Sequence, residues 1–367
     1  MSTVLVLGAG ATKACGGPLT ADILPDALAL RAQARPDLTA LIETFLGENF
    51  HLPPTAARRK SDYPSLPTLL SLIDLALDRK QPFGAKWDAD RLTLVRAAFE
   101  YAIYALIDDR LRKNPTNVHF DLFSRFDANP PIVITTNYDI IADNAMMAVA
   151  RQKPSPAGAG PDTALRFPDY GCDISTARYR DRPKWGTLLK IHGSLNWLYC
   201  PNCHAMEVGI ADSERWMANE AWDINIKSVD QQYTSDRICC EDCETRLAPL
   251  LIAPTHRKDY RNPHVGQIWF KAERALRAAK NVVFIGYSLP DDDVEVMYLL
   301  KRGLSRPNGE KVNVTVIEKD EQGRAQTDHD VGRRYRALFG DVDWHHDGLQ
   351  GWLGRTPPVS PIFTGSG

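Results

Sequence analysis

Cys200, Cys203, Cys240 and Cys243 form two Cys-x2-Cys pairs separated by 36 residues. Two such pairs supply four thiolates that can close tetrahedrally on zinc, and a site closed by four protein ligands is structural, with no position open to substrate. The interval is longer than in a usual ribbon, so residues 205–238 are expected to form an excursion within the module. Cys239 beside the second pair is a register alternative, and His204 is a weaker substitute. Shortly before the first pair stands His192, which closes the apolar run 188–191 (LLKI) and precedes Gly193-Ser194. An imidazole with an ordinary pKa of about 6.5 can take a proton from a ribose hydroxyl or a water. A lone histidine is more often structural; its place just past an apolar run favours chemistry here.

Three further clusters also follow short apolar runs. Residues 3–7 (TVLVL) empty into Gly8-Ala9-Gly10-Ala11-Thr12. A strand followed by Gly-x-Gly lets backbone N–H groups approach a diphosphate, because a Cβ at either glycine would obstruct them. The third glycine of the dinucleotide fingerprint is replaced by Lys13, and the pair could instead make only a tight strand-to-helix turn. Residues 131–136 (PIVITT) lead into Thr136-Asn137-Tyr138-Asp139. Asn137 could hold a water or a ribose hydroxyl and Asp139 could stabilise positive charge; the alternative is an Asx-turn and N-cap for a helix from Ile140. Residues 281–286 (NVVFIG) deliver Gly286-Tyr287-Ser288-Leu289 and then Pro290 and three aspartates. Gly286 and Ser288 could meet phosphate or ribose, whereas Asp291 to Asp293 are read as favouring the next helix through its dipole. Glu318, after residues 311–317 (KVNVTVI), could hold ribose hydroxyls or be a solvated charge in Glu318-Lys319-Asp320.

The elements that must position these residues follow from periodicity. The short β-branched runs read as buried parallel strands, and helical text lies between them, which predicts an α/β, Rossmann-like, doubly wound parallel sheet. From about residue 21 to 126 apolar residues recur at i, i+3, i+4 and i+7, with Ser65 and Asp88 as candidate caps. That block is too long for one crossover and is expected to form a helical insertion, with residues 52–66 as an exposed loop in it. Residues 154–183 show no clear period.

Composition narrows the function. Lys+Arg of 44 against Asp+Glu of 46 gives a formal charge of -2 over 367 residues, so no basic field argues for nucleic acid as the main ligand. The N-terminal apolar run is cut by glycines and preceded by no positive charge, and no apolar segment reaches the roughly 18 residues of a membrane span. Seven cysteines, five of them in one region, suit a metal knuckle in a reducing compartment. A cytoplasmic location is expected.

Taken in order, GAGAT, TTNYD, IHGS, the two Cys-x2-Cys pairs and GYSL resemble the sirtuin family, from about Val4 to Glu318. The resemblance implies NAD bound on the Rossmann-like part (residues 1–20, 127–196 and 250–353), a helical insertion (21–126), a zinc-ribbon module (197–249) and a disordered tail (354–367). It implies NAD contacts from Gly8, Ala9, Gly10, Thr12, Thr136, Gly193, Gly286, Ser288, Leu289 and Glu318. Asn137 and Asp139 would lie by the nicotinamide ribose and His192 would be the catalytic histidine. Cys200, Cys203, Cys240 and Cys243 would hold the zinc.

The chain departs from protein deacylases where these handle protein substrates. Gly17-Pro18 is followed by Leu19, Thr20 and Ala21 in place of Asp-Phe-Arg, and RLAPLLIAPTHRKDYRNPH follows the second Cys-x2-Cys where deacylases have a Phe-Gly-Glu segment. That pattern resembles the bacterial sirtuin-like NAD hydrolases, whose family role is often antiphage defence by NAD depletion. It implies cleavage to nicotinamide and ADP-ribose. Restraint of such an activity implies a homo-oligomer or a regulatory protein encoded nearby. A deacylase and a non-catalytic NAD or ADP-ribose sensor are the alternatives.

Overall fold

The computed structural model describes residues 2–34, 36–113, 117–126, 129–153, 166–208, 239–240, 242–251, 262–291, 293–306 and 309–355. Strand β1 (Thr3–Leu7) is buried along its whole length. Because side chains alternate across a strand, this requires cover on both faces of the sheet. The short helix Ala9–Lys13 follows at once, and four longer helices come next: Thr20–Ala34, Pro36–Phe50, Leu66–Asp78 and Ala89–Lys113. The helix Val118–Phe123 leads to β2 (Ile132–Thr135) and the helix Ile141–Gln152. Then come β3 (Phe167–Asp169), the turn of helix Ala177–Arg180, and β4 (Lys184–Lys190). After β4 the chain enters β5 (Gly193–Tyr199), β6 (Met206–Val208) and β7 (Ala248–Leu251). The helix Pro263–Ala278, β8 (Asn281–Ile285), the helix Val294–Leu304, β9 (Asn313–Ile317), the helix Asp330–Phe339, β10 (Asp343–His345) and the helix Gly348–Arg355 complete it.

Seven strands form one parallel sheet in the order β10-β9-β8-β1-β2-β4-β3. This is the expected doubly wound α/β architecture. The order runs outward from β1 in opposite directions, to β2 on one side and β8 on the other, so a crevice opens beyond their carboxyl ends. Two strands escape the sequence reading. β3 is three residues with a proline in the middle, and β10 is a polar Asp-Trp-His; both are edge strands, where proline and polar residues are tolerated.

The four longer helices between β1 and β2 enclose a hydrophobic cluster of their own, built on Phe45, Leu69, Leu70, Ile73, Leu92, Val95 and Phe99. Tyr138 and Leu195 also belong to that cluster and join the helical block to the segments after β2 and within β5. Of the two expected caps, the Asp88 carboxylate accepts from Arg91 N at 2.9 Å, whereas Ser65 stands at the N-cap without a side-chain bond.

β5, β6 and β7 form a separate antiparallel sheet in the order β6-β5-β7. The antiparallel strand already begins at Gly193, so His192 lies in the two-residue turn that carries the chain from one sheet to the other. The last helix runs to Arg355; the rest of the expected tail, residues 356–367, and nearly all of the expected excursion, 209–238, lie outside the described residues. Among the described residues no helix is long and apolar enough to cross a membrane.

Candidate active site and metal centre

The loops after β1 and β8 meet backbone to backbone. A Cβ on Gly8 would come within 2.5 Å of Tyr287 Cα, and one on Gly10 within 2.7 Å of Gly286 Cα. Gly286 has φ +57, and a Cβ there would lie 2.2 Å from Ala11 N. What demands glycine at these positions is therefore the contact of one loop with the other. The N–H groups of Gly8, Gly10 and Ala11 donate to Ile285 O, Gly286 O and Gly8 O at 3.0, 2.8 and 2.9 Å. The tight-turn reading of Gly-x-Gly accounts for these three donors, while Ala9 and Gly10 still line the cleft.

A hydrogen-bonded chain fixes Asn137. Its Nδ2 donates to Gly8 O at 2.8 Å and to Thr12 Oγ1 at 2.8 Å. Thr12 Oγ1 in turn donates to Asp139 Oδ2 at 2.6 Å. Gly8 O can only accept, so the amide orientation is set and Oδ1 is the side-chain atom of Asn137 left to accept a hydrogen bond. Asp139 is buried, and its Oδ1 accepts from Ile141 N at 2.9 Å, an Asx-turn; the N-cap itself is Ile140. The structural alternative for Asp139 is thus realised alongside its place in the chain to Asn137. Behind it Lys190, wholly buried, donates to the Asp139 carbonyl and to Asp143 Oδ2, the latter at 2.9 Å. Tyr170 donates to the other Asp143 oxygen at 2.6 Å. Nothing in the pattern LLKI marks Lys190 for this role, since a charge in a buried strand reveals its partner only in three dimensions.

His192 is buried beside the Tyr138 ring, with centroids 6.3 Å apart. Its Nε2 lies 3.9 Å from Asp293 Oδ1, and Asp293 Oδ2 accepts from Tyr287 OH at 2.7 Å. Asp293 stands at the helix N-terminus, where the helix-dipole reading put it, and has these further neighbours. The residue is the N-cap of the helix Val294–Leu304, yet its side chain makes no capping bond, is buried, and faces the histidine.

These residues line one cleft of about 1220 Å³. Thr12, Thr136, Asn137, Asp139, His192, Asp293, Gly286, Ser288 and Glu318 all face it, from the carboxyl ends of β1, β2, β4, β8 and β9. Its other wall comes from the helical block and the segment before it, including Leu19, Thr20, Ala21, Tyr63 and Leu66. Three expected contacts stand apart. Gly8 is taken up by the loop packing, Gly193 starts β5 with φ +80, and Leu289 is buried with φ +49. At the end of β9 Glu318 Oε1 accepts from Lys319 N at 3.2 Å, while its buried Oε2 has no hydrogen-bond partner among the described residues. Burial pushes this carboxyl above its ordinary value. Arg334 also lines this end and donates from Nε to Ser288 O at 2.9 Å.

The four expected zinc ligands converge. The sulfurs of Cys200, Cys203, Cys240 and Cys243 all lie within 4.8 Å of one another, with Cys200 to Cys243 at 3.4 Å and Cys203 to Cys240 at 3.5 Å. These separations are far above an S–S bond and near the edge of a tetrahedron with Zn–S of about 2.3 Å. The donor set therefore fits zinc, closed and structural. Cys239 instead bridges Arg246, and His204, at φ +63, gives its carbonyl to His264 Nε2 at 2.6 Å.

No protein-family model and no curated protein matches the sequence. Solved structures similar to this chain are those of Sir2 enzymes. One, on the mechanism and regulation of Sir2 enzymes, has 13% identity and a TM-score of 0.39, covering 96% of this chain and 88% of that one. A mutant Sir2 homologue in complex with 2'-O-acetyl ADP ribose has 13% identity and a TM-score of 0.41, with the same coverage of 96% and 88%. Sir2 with a p53 peptide and NAD+ has 12% identity and a TM-score of 0.36, covering 96% and 91%.

Proposed function

We propose that the chain is an NAD hydrolase that cleaves the nicotinamide–ribose bond with water, giving nicotinamide, ADP-ribose and a proton. The observation that carries this reading is the fixed Asn137, whose Oδ1 remains to accept from a water or a ribose hydroxyl once both amide N–H groups are bonded. As the C–N bond breaks, its electron pair leaves with nicotinamide and positive charge builds on the ribose. The buried carboxylate of Asp139 favours that charge, and a water held at Asn137 attacks the ribose carbon. His192 takes the proton released. At the other end the Oε2 of Glu318 can accept from the hydroxyls of the adenosine ribose. The four cysteines would hold zinc, which supplies structure to the segment they staple and no open position for substrate.

The reading extends to a defence effector that depletes NAD, restrained by self-association or by a protein encoded nearby, because unrestrained NAD loss would harm the cell that makes it. Leu19, Thr20 and Ala21 in the cleft wall carry neither the aromatic nor the arginine of a deacylase loop, which favours water over an acyl-lysine as the second substrate. The test is to supply NAD and an acyl-lysine peptide together. Nicotinamide formed without loss of the acyl group supports hydrolysis, whereas acyl-ADP-ribose formed in step with nicotinamide establishes a deacylase. NAD bound with neither product supports the sensor.

A further inference from the structure

We propose that Asp293 is the positioning residue of His192, a carboxylate that holds the imidazole in one orientation in the cleft. The proposal rests on the hydrolase reading for its catalytic consequence, but not for the pairing itself. Aspartate is among the best N-cap residues because its carboxylate can accept from the first free N–H groups of a helix. Asp293 stands at that position and forgoes the bond. It is nonetheless buried, and a buried carboxylate is costly without compensating partners.

Tyr287 OH pins Oδ2 at 2.7 Å and compensates that oxygen, and Oδ1 lies 3.9 Å from His192 Nε2. Tyr287 is itself held, since its Cα is packed against Gly8 and its carbonyl accepts from Tyr335 OH at 2.8 Å. Leu289 adopts φ +49, a left-handed conformation that costs a non-glycine residue, and Asp293 N closes a turn onto Pro290 O at 3.1 Å. A separation of 3.9 Å is long for a hydrogen bond, and such bonds are often long in ligand-free sites and tighten with substrate. When His192 accepts the proton, the imidazolium forms against a fixed negative charge.

The other groups around the imidazole come from several elements. Tyr138 and Asp139 follow β2, with Lys190 of β4 on the Asp139 carbonyl; Tyr287 lies beyond Asp293; besides burial, Asp293 and then Glu100 of the helix Ala89–Lys113 act on the Tyr138 phenol. Asp293 is a carboxylate brought within ion-pair distance of the ring.

The experiment is to titrate the His192 imidazole by NMR in the full-length protein and in Asp293→Asn, alongside nicotinamide release from NAD. Loss of the carboxylate should lower the pH at which the imidazole titrates by about one unit. Turnover number should fall by about tenfold or more with KM unchanged, and Asp293→Asn should add no further loss in a His192→Ala background. If Asp293→Asn does not fold, Asp293→Ser keeps a capping residue without the charge and takes its place. An unchanged titration in the folded variant overturns the proposal, as does an equal further loss in the His192→Ala background. A shifted titration in a protein that never releases nicotinamide leaves the pairing standing and sinks the hydrolase reading instead.

Discussion

At the scale of single residues, Thr12 carries more than its position in GAGAT suggests. Its hydroxyl accepts from Asn137 and donates to Asp139, so one small side chain transmits the orientation of a buried carboxylate to the amide in the cleft. Thr12→Val keeps the shape and removes both bonds. Nicotinamide release from NAD is expected to fall about tenfold to a hundredfold, since a misplaced reacting group loses positional advantage steeply, while Thr12→Ser stays close to the parent. Equal rates in Thr12→Val and the parent would separate Asn137 from this chain of bonds. That Asn137, Asp139, His192 and Glu318 come to the same cleft was legible in the sequence, because His192, Glu318 and Asn137 directly follow short apolar runs and Asp139 stands two residues after Asn137. Asp293 was not: in a run of aspartates before a helix, nothing in the order of letters tells a dipole-facing carboxylate from one turned inward.

At the scale of elements, two segments make separate demands. The helix Val118–Phe123 buries His119, whose Nδ1 lies 4.0 Å from Cys15 Sγ and whose Nε2 has no hydrogen-bond partner among the described residues. Burial pushes its pKa down to about 4 against the opposing charge of Asp139. The unfolded chain binds this proton near pH 6.5, so the stability owed to neutral His119 is complete above that pH and is lost as pH falls toward 4. Its slope reaches about 1.4 kcal/mol per pH unit. Denaturant unfolding at a series of pH values should show that slope flattened in His119→Gln; an unchanged slope would place the acid sensitivity elsewhere.

The zinc module makes the second demand. Cys203 is the exposed member of its cluster, so Cys203→Ser disturbs little packing and mainly removes a ligand. The parent should carry about one zinc per chain by metal analysis, and the variant should lose it together with the folding of β5 to β7. Retention of the full metal content would contradict the four-cysteine site. The strands β1, β2 and β8 were legible because buried parallel strands are short continuous apolar runs, β9 because its β-branched residues mark a strand although only its last two residues are buried, and the pairs of cysteines because their spacing is local. β3 and β10 were hidden because edge strands are free to be polar or to contain proline.

At the scale of the whole molecule, the cleft belongs to no single segment. β1, β2, β4, β8 and β9 present polar residues at one edge of the sheet, and the helical block closes over them with Tyr63, Leu66 and Ile107. Tyr138 and Leu195 lock the two parts together by sharing the block's hydrophobic cluster. The periodicity of residues 21–126 predicts the helices but not where they pack, since an amphipathic face states that it must be covered without stating by what. The glycines show the same limit. Gly8 and Gly10 stand far from Gly286 in the chain, and only the fold reveals that the two loops require glycine of each other. Whether this cleft breaks the nicotinamide–ribose bond by itself is decided by nicotinamide release from NAD by purified protein with no peptide present, beside Asn137→Ala. The parent should release nicotinamide and the variant should lose about a hundredfold or more of that rate; equal release from both would show that the proposed site does not break the bond.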